Sequence, residues 1–277
     1  MHNARKRLLA GPYLVWIIGF TVLPILMILY YAFTNSDGGF TWANIAAIAD
    51  PVHIKALLLS LKLGILCTVV CLLLSYPLAM ILNSLHIKHQ SFVVFIFVLP
   101  MWMNFMLRIL AWQMLLSNNG IINGFLSIFG IPKLHMLNTQ GAVVFGMIYD
   151  FLPFMIMPIY TVIEKTDHSL LEAAADLGAS PVQSFLRVTL PYSLPGVLEG
   201  ITMVFVPAVT TFVISQLMGG GKVPLIGDII QNQFGKSSDW HFGSTLSLLV
   251  MVVVLAFMGG LQRIDKEEEP RKEVRIL

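Results

Sequence analysis

Six long apolar runs constrain this chain more than any other feature of its sequence. Each is long enough for a helix of about 20 residues, which is the length that crosses the hydrocarbon layer of a membrane. Hydrophobic residues make up 57% of the 277 residues and charged residues only 12%, roughly half the charged fraction of a soluble domain. We therefore predict an all-α membrane protein with one domain over residues 1–277. Its spans are expected at about 12–33, 57–82, 92–115, 141–163, 193–217 and 243–262.

The first apolar run superficially resembles a signal peptide, because Arg5, Lys6 and Arg7 precede it. The run from 8 to 34 is longer than the apolar region of a signal peptide, and no small-residue cleavage site follows it. We therefore predict a retained first span.

The placement of basic residues predicts the orientation of the spans, since cytoplasmic segments carry an excess of lysine and arginine. With the N-terminus inside, eleven basic residues lie in inner segments and four in outer ones. The inner ones are Arg5, Lys6, Arg7, Lys88, Lys165, Arg187, Arg263, Lys266, Arg271, Lys272 and Arg275, and the outer ones are Lys55, Lys133, Lys222 and Lys236. Both termini, and the loop at 164–192 between spans four and five, are therefore expected in the cytoplasm.

That loop carries regular helix start and stop signals. Ser169 and Glu172 have the spacing of a capping box, and Ser180 with Gln183 repeats it. Gly178 lies between them, where a first helix would end in the left-handed conformation. The sequence thus predicts two short helices outside the membrane, ended by a break at a following proline.

The same loop matches the pattern E-A-A-x-x-x-G, nine residues, I-x-L-P, with Val188 in place of the isoleucine. The matching residues are Glu172, Ala173, Ala174, Gly178, Leu190 and Pro191. The loop thereby resembles the cytoplasmic signature of permease subunits of binding-protein-dependent ABC importers. The resemblance implies a type I permease fold, in which paired coupling helices between spans four and five insert into a groove on a cytoplasmic ATPase. It assigns ATPase coupling to the six matching residues.

Three further segments are similar to the permeases of spermidine/putrescine importers. They are 151–160, 217–220 and 239–243. The resemblance implies that the importer takes up polyamines. The alternative is a related importer of another small solute, such as iron, phosphonate or sulfate.

The resemblance also implies the partners of the chain. They are an ATPase dimer, a second homologous permease, an extracytoplasmic substrate-binding protein and membrane lipid, with no nucleic acid. No catalytic, phosphate-binding or metal-binding motif is evident in the sequence, so the chain itself is not expected to be an enzyme or to bind a cofactor. ATP and magnesium are expected to bind the partner ATPase. The complex is expected to lie in a bacterial inner membrane.

Charges inside the predicted spans require a reason, since ionisable residues at membrane depth are costly. The carboxylate of Asp150 suits contact with a cationic substrate in a water-filled cavity, or an ion pair with Arg108, and both readings stay open. For Arg108, a structural ion pair is favoured, because an unneutralised arginine would repel an amine. Glu199 is expected to have a structural role near the cytoplasmic interface. The predicted substrate pathway consists of Trp102, Asn104, Phe105, Tyr149 and Asp150. An ion-coupled secondary transporter that uses Asp150 is the alternative from another functional class.

Overall fold

The computed structural model describes residues 12–84, 99–166 and 168–274, with side chains up to residue 263 except that of His168. Within these ranges the chain is helical, apart from its loops and one isolated antiparallel bridge between Thr34 and Phe40. The helices are labelled in chain order. They are α1 Pro12–Ala32, α2 Ala43–Ala47, α3 Pro51–Ser84, α4 Phe105–Leu116, α5 Ile121–Ile128, α6 Gln140–Glu164, α7 His168–Asp176, α8 Pro181–Thr210, α9 Val213–Gly219, α10 Ile226–Asn232 and α11 Trp240–Val274.

Five of the described helices are long and apolar enough to cross a membrane. They are α1, α3, α6, α8 and the part of α11 from Trp240 to Arg263. These match predicted spans one, two, four, five and six, and the all-α prediction is confirmed for the described residues.

The predicted third span has a different form in the part that can be seen. Residues 92–98 lie outside the described residues, and the remainder is a 3₁₀ turn at Leu99–Trp102 followed by the twelve-residue helix α4. The backbone leaves helical geometry at Asn104, where ψ is 124°. The expected uninterrupted helix over 92–115 is therefore wrong between the 3₁₀ turn and α4.

The predicted fifth span also has different ends. Its helix starts at Pro181 rather than 193 and stops at Thr210 rather than 217. Thr211 is extended, with ψ of 143°, and the short α9 follows. Gly220 then ends α9 with φ of 54°.

Contacts divide the chain into two compact units, residues 12–56 with 229–255 and residues 57–228 with 256–274. The prediction of a single domain stays a prediction. The second unit holds most of the buried apolar side chains, among them Cys67 of α3, Met147 and Met155 of α6, and Val204 of α8.

Glycines allow α6 and α8 to pack closely in the second unit. A Cβ on Gly196 would lie 2.7 Å from the carbonyl oxygen of Pro158, and one on Gly200 would lie 2.7 Å from the sulfur of Met155. Small residues at such contacts let helix backbones approach closely in a membrane, where hydrophobic burial does not drive association. The helix that follows the predicted coupling loop is thus held firmly against α6.

The first unit explains the segment 239–243 in structural terms. Asp239 Oδ1 accepts a hydrogen bond from the backbone N–H of Phe242 at 3.0 Å, which satisfies a free amide at the start of α11. The Nδ1 atom of His241 lies 3.2 Å from the carbonyl oxygen of Tyr31 at the end of α1. The segment therefore starts one helix and ties it to another.

Candidate coupling segment and buried charges

The end of α7 has the geometry that the sequence predicts. Gly178 has φ of 80°, in the left-handed region that favours glycine. The N–H of Ala179 donates to the carbonyl of Ala174 at 3.0 Å, and that of Gly178 donates to the carbonyl of Ala175 at 2.9 Å. This pair of bonds is a Schellman motif, which satisfies the last carbonyls of the helix.

The start of α8 is also predicted correctly. The hydroxyl of Ser180 accepts from the N–H of Gln183 at 3.3 Å, and the Gln183 side-chain oxygen accepts from the N–H of Ser180 at 2.9 Å. Both halves of a capping box are present, with Pro181 at the first helical position. The expected cap at Ser169 is wrong, because α7 begins at His168 and Ser169 therefore lies within its first turn.

The predicted helix break at Pro191 is wrong as well. A π-helical turn at Phe185–Thr189 precedes the proline, and the N–H of Leu190 bonds to the carbonyl of Phe185 five residues back. Pro191 then falls at the start of the next α-helical segment, where a missing N–H is tolerated. The helix consequently runs without interruption from the capping box into the candidate span.

Several apolar side chains of this segment are exposed. Leu177 is 89% exposed, Val182 65% and Leu186 53%, whereas Leu171 and Ala174 are half-buried. Glu172 and Ala173 are exposed beside them. The segment thus exposes apolar side chains on both sides of a turn that is held by its caps.

Of the two readings left open for Asp150, the structure shows the ion pair with Arg108. The Nη2 atom of Arg108 lies 2.9 Å from Oδ1 of Asp150, and the two side chains are only 7% and 1% exposed. The guanidinium carbon also lies 6.0 Å from the ring centroid of Tyr149, at the limit of a cation–π contact. The ion pair thus joins α4 to α6 inside the second unit.

The pair is incompletely satisfied. Arg108 Nε and Nη1 and Asp150 Oδ2 are buried and have no hydrogen-bond partner among the residues that the structure describes. A buried pair of this kind costs desolvation and is weak evidence for net stability, but removal of one member leaves an unpaired buried charge.

The remaining residues of the predicted pathway have diverse surroundings. Trp102 is 81% exposed in the 3₁₀ turn. Asn104 is the N-cap of α4, since its side-chain oxygen accepts from the N–H groups of Met106 and Leu107. Phe105 packs against the core of the second unit, and Tyr149 packs edge-on against Trp112. The structure thus brings Tyr149 and Asp150 together with Arg108, and the pathway assignment of all five residues stays a prediction.

A second buried carboxylate, Asp228 in α10, was not predicted from the sequence. Its Oδ2 accepts from Ser215 Oγ at 2.6 Å and from the N–H of Leu225 at 2.9 Å. Burial raises the pKa of Asp228, while hydrogen bonds from Ser215, Leu225 and Gln216 act in the opposite direction. The only sequence signal was an acidic residue in a short apolar segment, which does not identify its partners.

Comparisons with known proteins agree with this architecture. The profile of the family described as "Binding-protein-dependent transport system inner membrane component" matches residues 1–264. The spermidine/putrescine transport system permease protein PotB of Haemophilus influenzae is 37% identical over 268 residues, which cover 93% of this chain and 94% of that protein. PotB of Escherichia coli strain K12 is 39% identical over 266 residues, covering 92% and 97%.

One solved structure extends the comparison to the fold. It is the crystal structure of a bacterial alginate ABC transporter in complex with an alginate pentasaccharide-bound periplasmic protein. One of its chains matches with a TM-score of 0.79 at 17% identity, covering 96% of this chain and 95% of that one. At that identity the likeness concerns the fold alone. Together with the family profile and the two relatives, it shows that the chain belongs to the family of binding-protein-dependent transport system inner membrane components, as a multi-pass membrane subunit.

Proposed function

We propose that the chain is the permease subunit of an ATP-driven importer of polyamines and forms half of its translocation pathway. The observation that carries the cargo assignment is the 37–39% identity to spermidine/putrescine permeases over more than nine-tenths of the chain. A second homologous permease would supply the other half, and an extracytoplasmic binding protein would deliver the substrate.

The segment from α7 to the start of α8 is the proposed contact with a cytoplasmic ATPase. Two features support this role: its exposed apolar residues, and its continuity with a candidate span. Because α8 runs from the capping box at Ser180 to Thr210 as one helix, a displacement of the segment is transmitted directly along a spanning helix. Glu172, Ala173, Ala174, Gly178, Leu190 and Pro191 are the proposed coupling residues. ATP and magnesium would bind the ATPase, and both termini of this chain would face the cytoplasm.

Two substitutions test the coupling role. Gly178→Pro imposes φ near −65° on a residue that has φ of 80°, so it distorts the turn. Glu172→Lys reverses an exposed charge of the motif. We expect both variants to insert in the membrane, and ATP-driven uptake of labelled spermidine by the reconstituted importer to fall at least tenfold.

Matched controls separate coupling from general damage. Gly130→Pro alters another left-handed glycine, with φ of 71°, after α5, and Asp37→Lys reverses an exposed charge in the loop between α1 and α2. Both controls should retain uptake. Normal uptake by Gly178→Pro and Glu172→Lys would refute the coupling role.

The cargo and the energy source are tested separately. Uptake of spermidine and putrescine by the wild-type importer is compared with uptake of iron, phosphonate and sulfate. Transport of one of those solutes without polyamine transport would replace the proposed cargo. Uptake that survives inactivation of the ATPase but is abolished by an uncoupler would replace the ATP-driven mechanism with an ion-coupled one.

A further inference from the structure

One exposed face of α8 differs from an ordinary lipid-facing surface. Tyr192, Pro195, Glu199, Met203 and Thr210 are exposed at spacings of three, four, four and seven residues, so they lie along one side of the helix. The opposite side is buried against the second unit. Glu199 places a carboxylate in the exposed stripe, within the candidate span.

Helix α3 serves as the apolar reference for this comparison, although Lys62 is exposed before its middle part. In its middle part, every exposed residue is apolar. These residues are Ile65, Leu66, Val69, Leu73 and Leu74. Since an ionisable side chain in a spanning helix almost always faces protein or a water-filled cavity, the stripe on α8 has the character of a surface that water reaches.

Glu199 opens into a groove of about 200 Å³ within the second unit. Its walls are mostly apolar, with the hydroxyl of Thr202 and the amide of Gln262 as further polar groups. The lining residues are Pro195, Leu198, Glu199, Thr202, Met258, Leu261 and Gln262. The Thr202 hydroxyl donates to the carbonyl of Leu198 at 3.0 Å, so it has only acceptor capacity left for a ligand.

The carboxylate of Glu199 has no ion pair or hydrogen bond with any residue in the described parts of the chain. An unpaired carboxylate next to apolar walls complements a ligand that combines a cation with methylene groups. Alkylammonium ions have this composition, whereas anionic or uncharged solutes do not.

We propose that Glu199, with Gln262 and Thr202 beside it, lines the translocation pathway and binds an ammonium group of the transported polyamine. The sequence alone predicted a structural role for this residue. The proposal rests on the proposed function, because it takes its cation from the cargo of the importer.

The first experiment tests whether water and amines reach the groove. Glu199→Cys and, as the lipid-facing control, Leu73→Cys are made in the complete importer in proteoliposomes; the native Cys67 and Cys71 are fully buried. The reagent is 2-aminoethyl methanethiosulfonate, a thiol reagent that itself carries a primary ammonium group. We expect labelling of Glu199→Cys to be at least tenfold faster than that of Leu73→Cys. Gln262→Cys lines the same groove and keeps the carboxylate of Glu199, so we expect it to be labelled as well and spermidine to slow its labelling.

Equal labelling rates would overturn the aqueous assignment. Fast labelling of Gln262→Cys that spermidine does not slow would overturn the assignment of the ligand. Because these readouts need no transport, they are independent of the ATPase-coupling proposal.

The second experiment measures polyamine uptake. Glu199→Gln should lower the initial rate of spermidine uptake at least fivefold, and Glu199→Asp, which keeps the charge, should retain more than half of it. Asp37→Asn removes an exposed carboxylate outside the groove and should match the wild type. Uptake by Glu199→Gln equal to that of the wild type would overturn the proposal.

Assembly and wild-type transport separate the remaining outcomes. If Glu199→Gln fails to co-purify with the other subunits while Glu199→Asp assembles, Glu199 pairs with a basic residue of a partner, and the proposal is overturned. If the wild-type importer carries no polyamine, the proposed function fails first, and the ammonium site fails with it. If the wild-type importer carries polyamine and Glu199→Gln carries it equally well, the ammonium site is refuted and the proposed function stands.

Discussion

Asp150 and Glu199 are carboxylates in neighbouring helices of one unit, and their surroundings are opposite. Asp150 is 1% exposed and lies 2.9 Å from a guanidinium. Glu199 is exposed on α8 and opens into a groove with no cation from the described residues beside it. Two carboxylates in candidate spans thus have different surroundings in the folded chain.

The difference lies in what each carboxylate does for the folded chain. Asp150 compensates a buried charge on α4, so the fold depends on the pair remaining intact. Glu199 compensates no charge among the described residues, so its position in a candidate span is not explained by contacts within the folded chain. A charge inside a candidate span is a stronger indication of transport when it is accessible and unpaired than when it is buried and paired.

The largest effect is expected from Arg108→Ala. This variant leaves Asp150 buried without its partner, which we expect to cost about 3–5 kcal/mol. Thermal unfolding of the purified protein in detergent, together with the yield of folded protein in membranes, measures the loss. A melting temperature within 1 °C of the wild type would show that the pair does not support the fold.

The double variant Arg108→Met with Asp150→Leu is the matched control for that loss. It removes both charges and replaces them with apolar groups of similar volume, which is often neutral or stabilising. We expect it to recover most of the stability that Arg108→Ala loses. If it is as unstable as the single variant, the cost comes from lost packing rather than from an unpaired charge.

A smaller loss of stability is expected for Asp150→Asn. The amide has the size of the carboxylate and keeps an oxygen beside Arg108, but the guanidinium charge is left without its counterion, so we expect a cost of about 1–3 kcal/mol. Spermidine and putrescine uptake per folded molecule should stay within twofold of the wild type, since the carboxylate is buried against Arg108. A selective loss of uptake in the folded variant would assign Asp150 to the substrate pathway. Asp150 and Glu199 would then not differ in role.

Glu199→Gln is the counterpart in the other environment. Because the side chain is exposed and makes no ion pair or hydrogen bond with the described residues, its effect on stability should lie within about 0.5 kcal/mol. Thermal unfolding of this variant beside Asp150→Asn measures the contrast directly. A destabilisation as large as that of Asp150→Asn would mean that Glu199 also has a partner inside the folded protein.

Local features of the segment at 164–192 were predicted well, since short-range chemistry decides them. Gly178 and the box of Ser180 with Gln183 are fixed by backbone needs that lie within four residues. The prediction failed at Pro191, where a π turn removes the conflict between proline and helix. A rule for regular α-helix does not anticipate a change of helix type immediately before the proline.

Long-range features were only partly predictable. Arg108 was named as a possible partner of Asp150 from charge alone, but the sequence does not show that α4 and α6 bring the two together. The sequence likewise placed Glu199 in a span without showing which side of α8 it occupies. The side of α8 on which Glu199 lies depends on the packing at Gly196 and Gly200, where the absence of a side chain lets α6 approach.

A small effect that depends on pH is expected from the buried carboxylate of Asp228, which lies outside the candidate spans and is held by Ser215 and Leu225. Because burial raises its pKa in the folded protein, the folded state binds this proton more tightly than the unfolded state does. The contribution of this group to stability is therefore fully present below the unfolded pKa of about 3.9, and it declines as the pH rises through the higher folded value.

Asp228→Asn removes this dependence on pH. The melting temperature of the wild type relative to that of Asp228→Asn should fall as the pH rises from about 4, by a few degrees at most for a chain of this size. Thermal unfolding of both proteins in detergent between pH 4 and pH 8 measures the difference. Parallel curves would show that the hydrogen bonds from Ser215, Leu225 and Gln216 fully offset the burial. Asp228 would then resemble Asp150 in being a carboxylate that its partners compensate, and Glu199 would remain the uncompensated one.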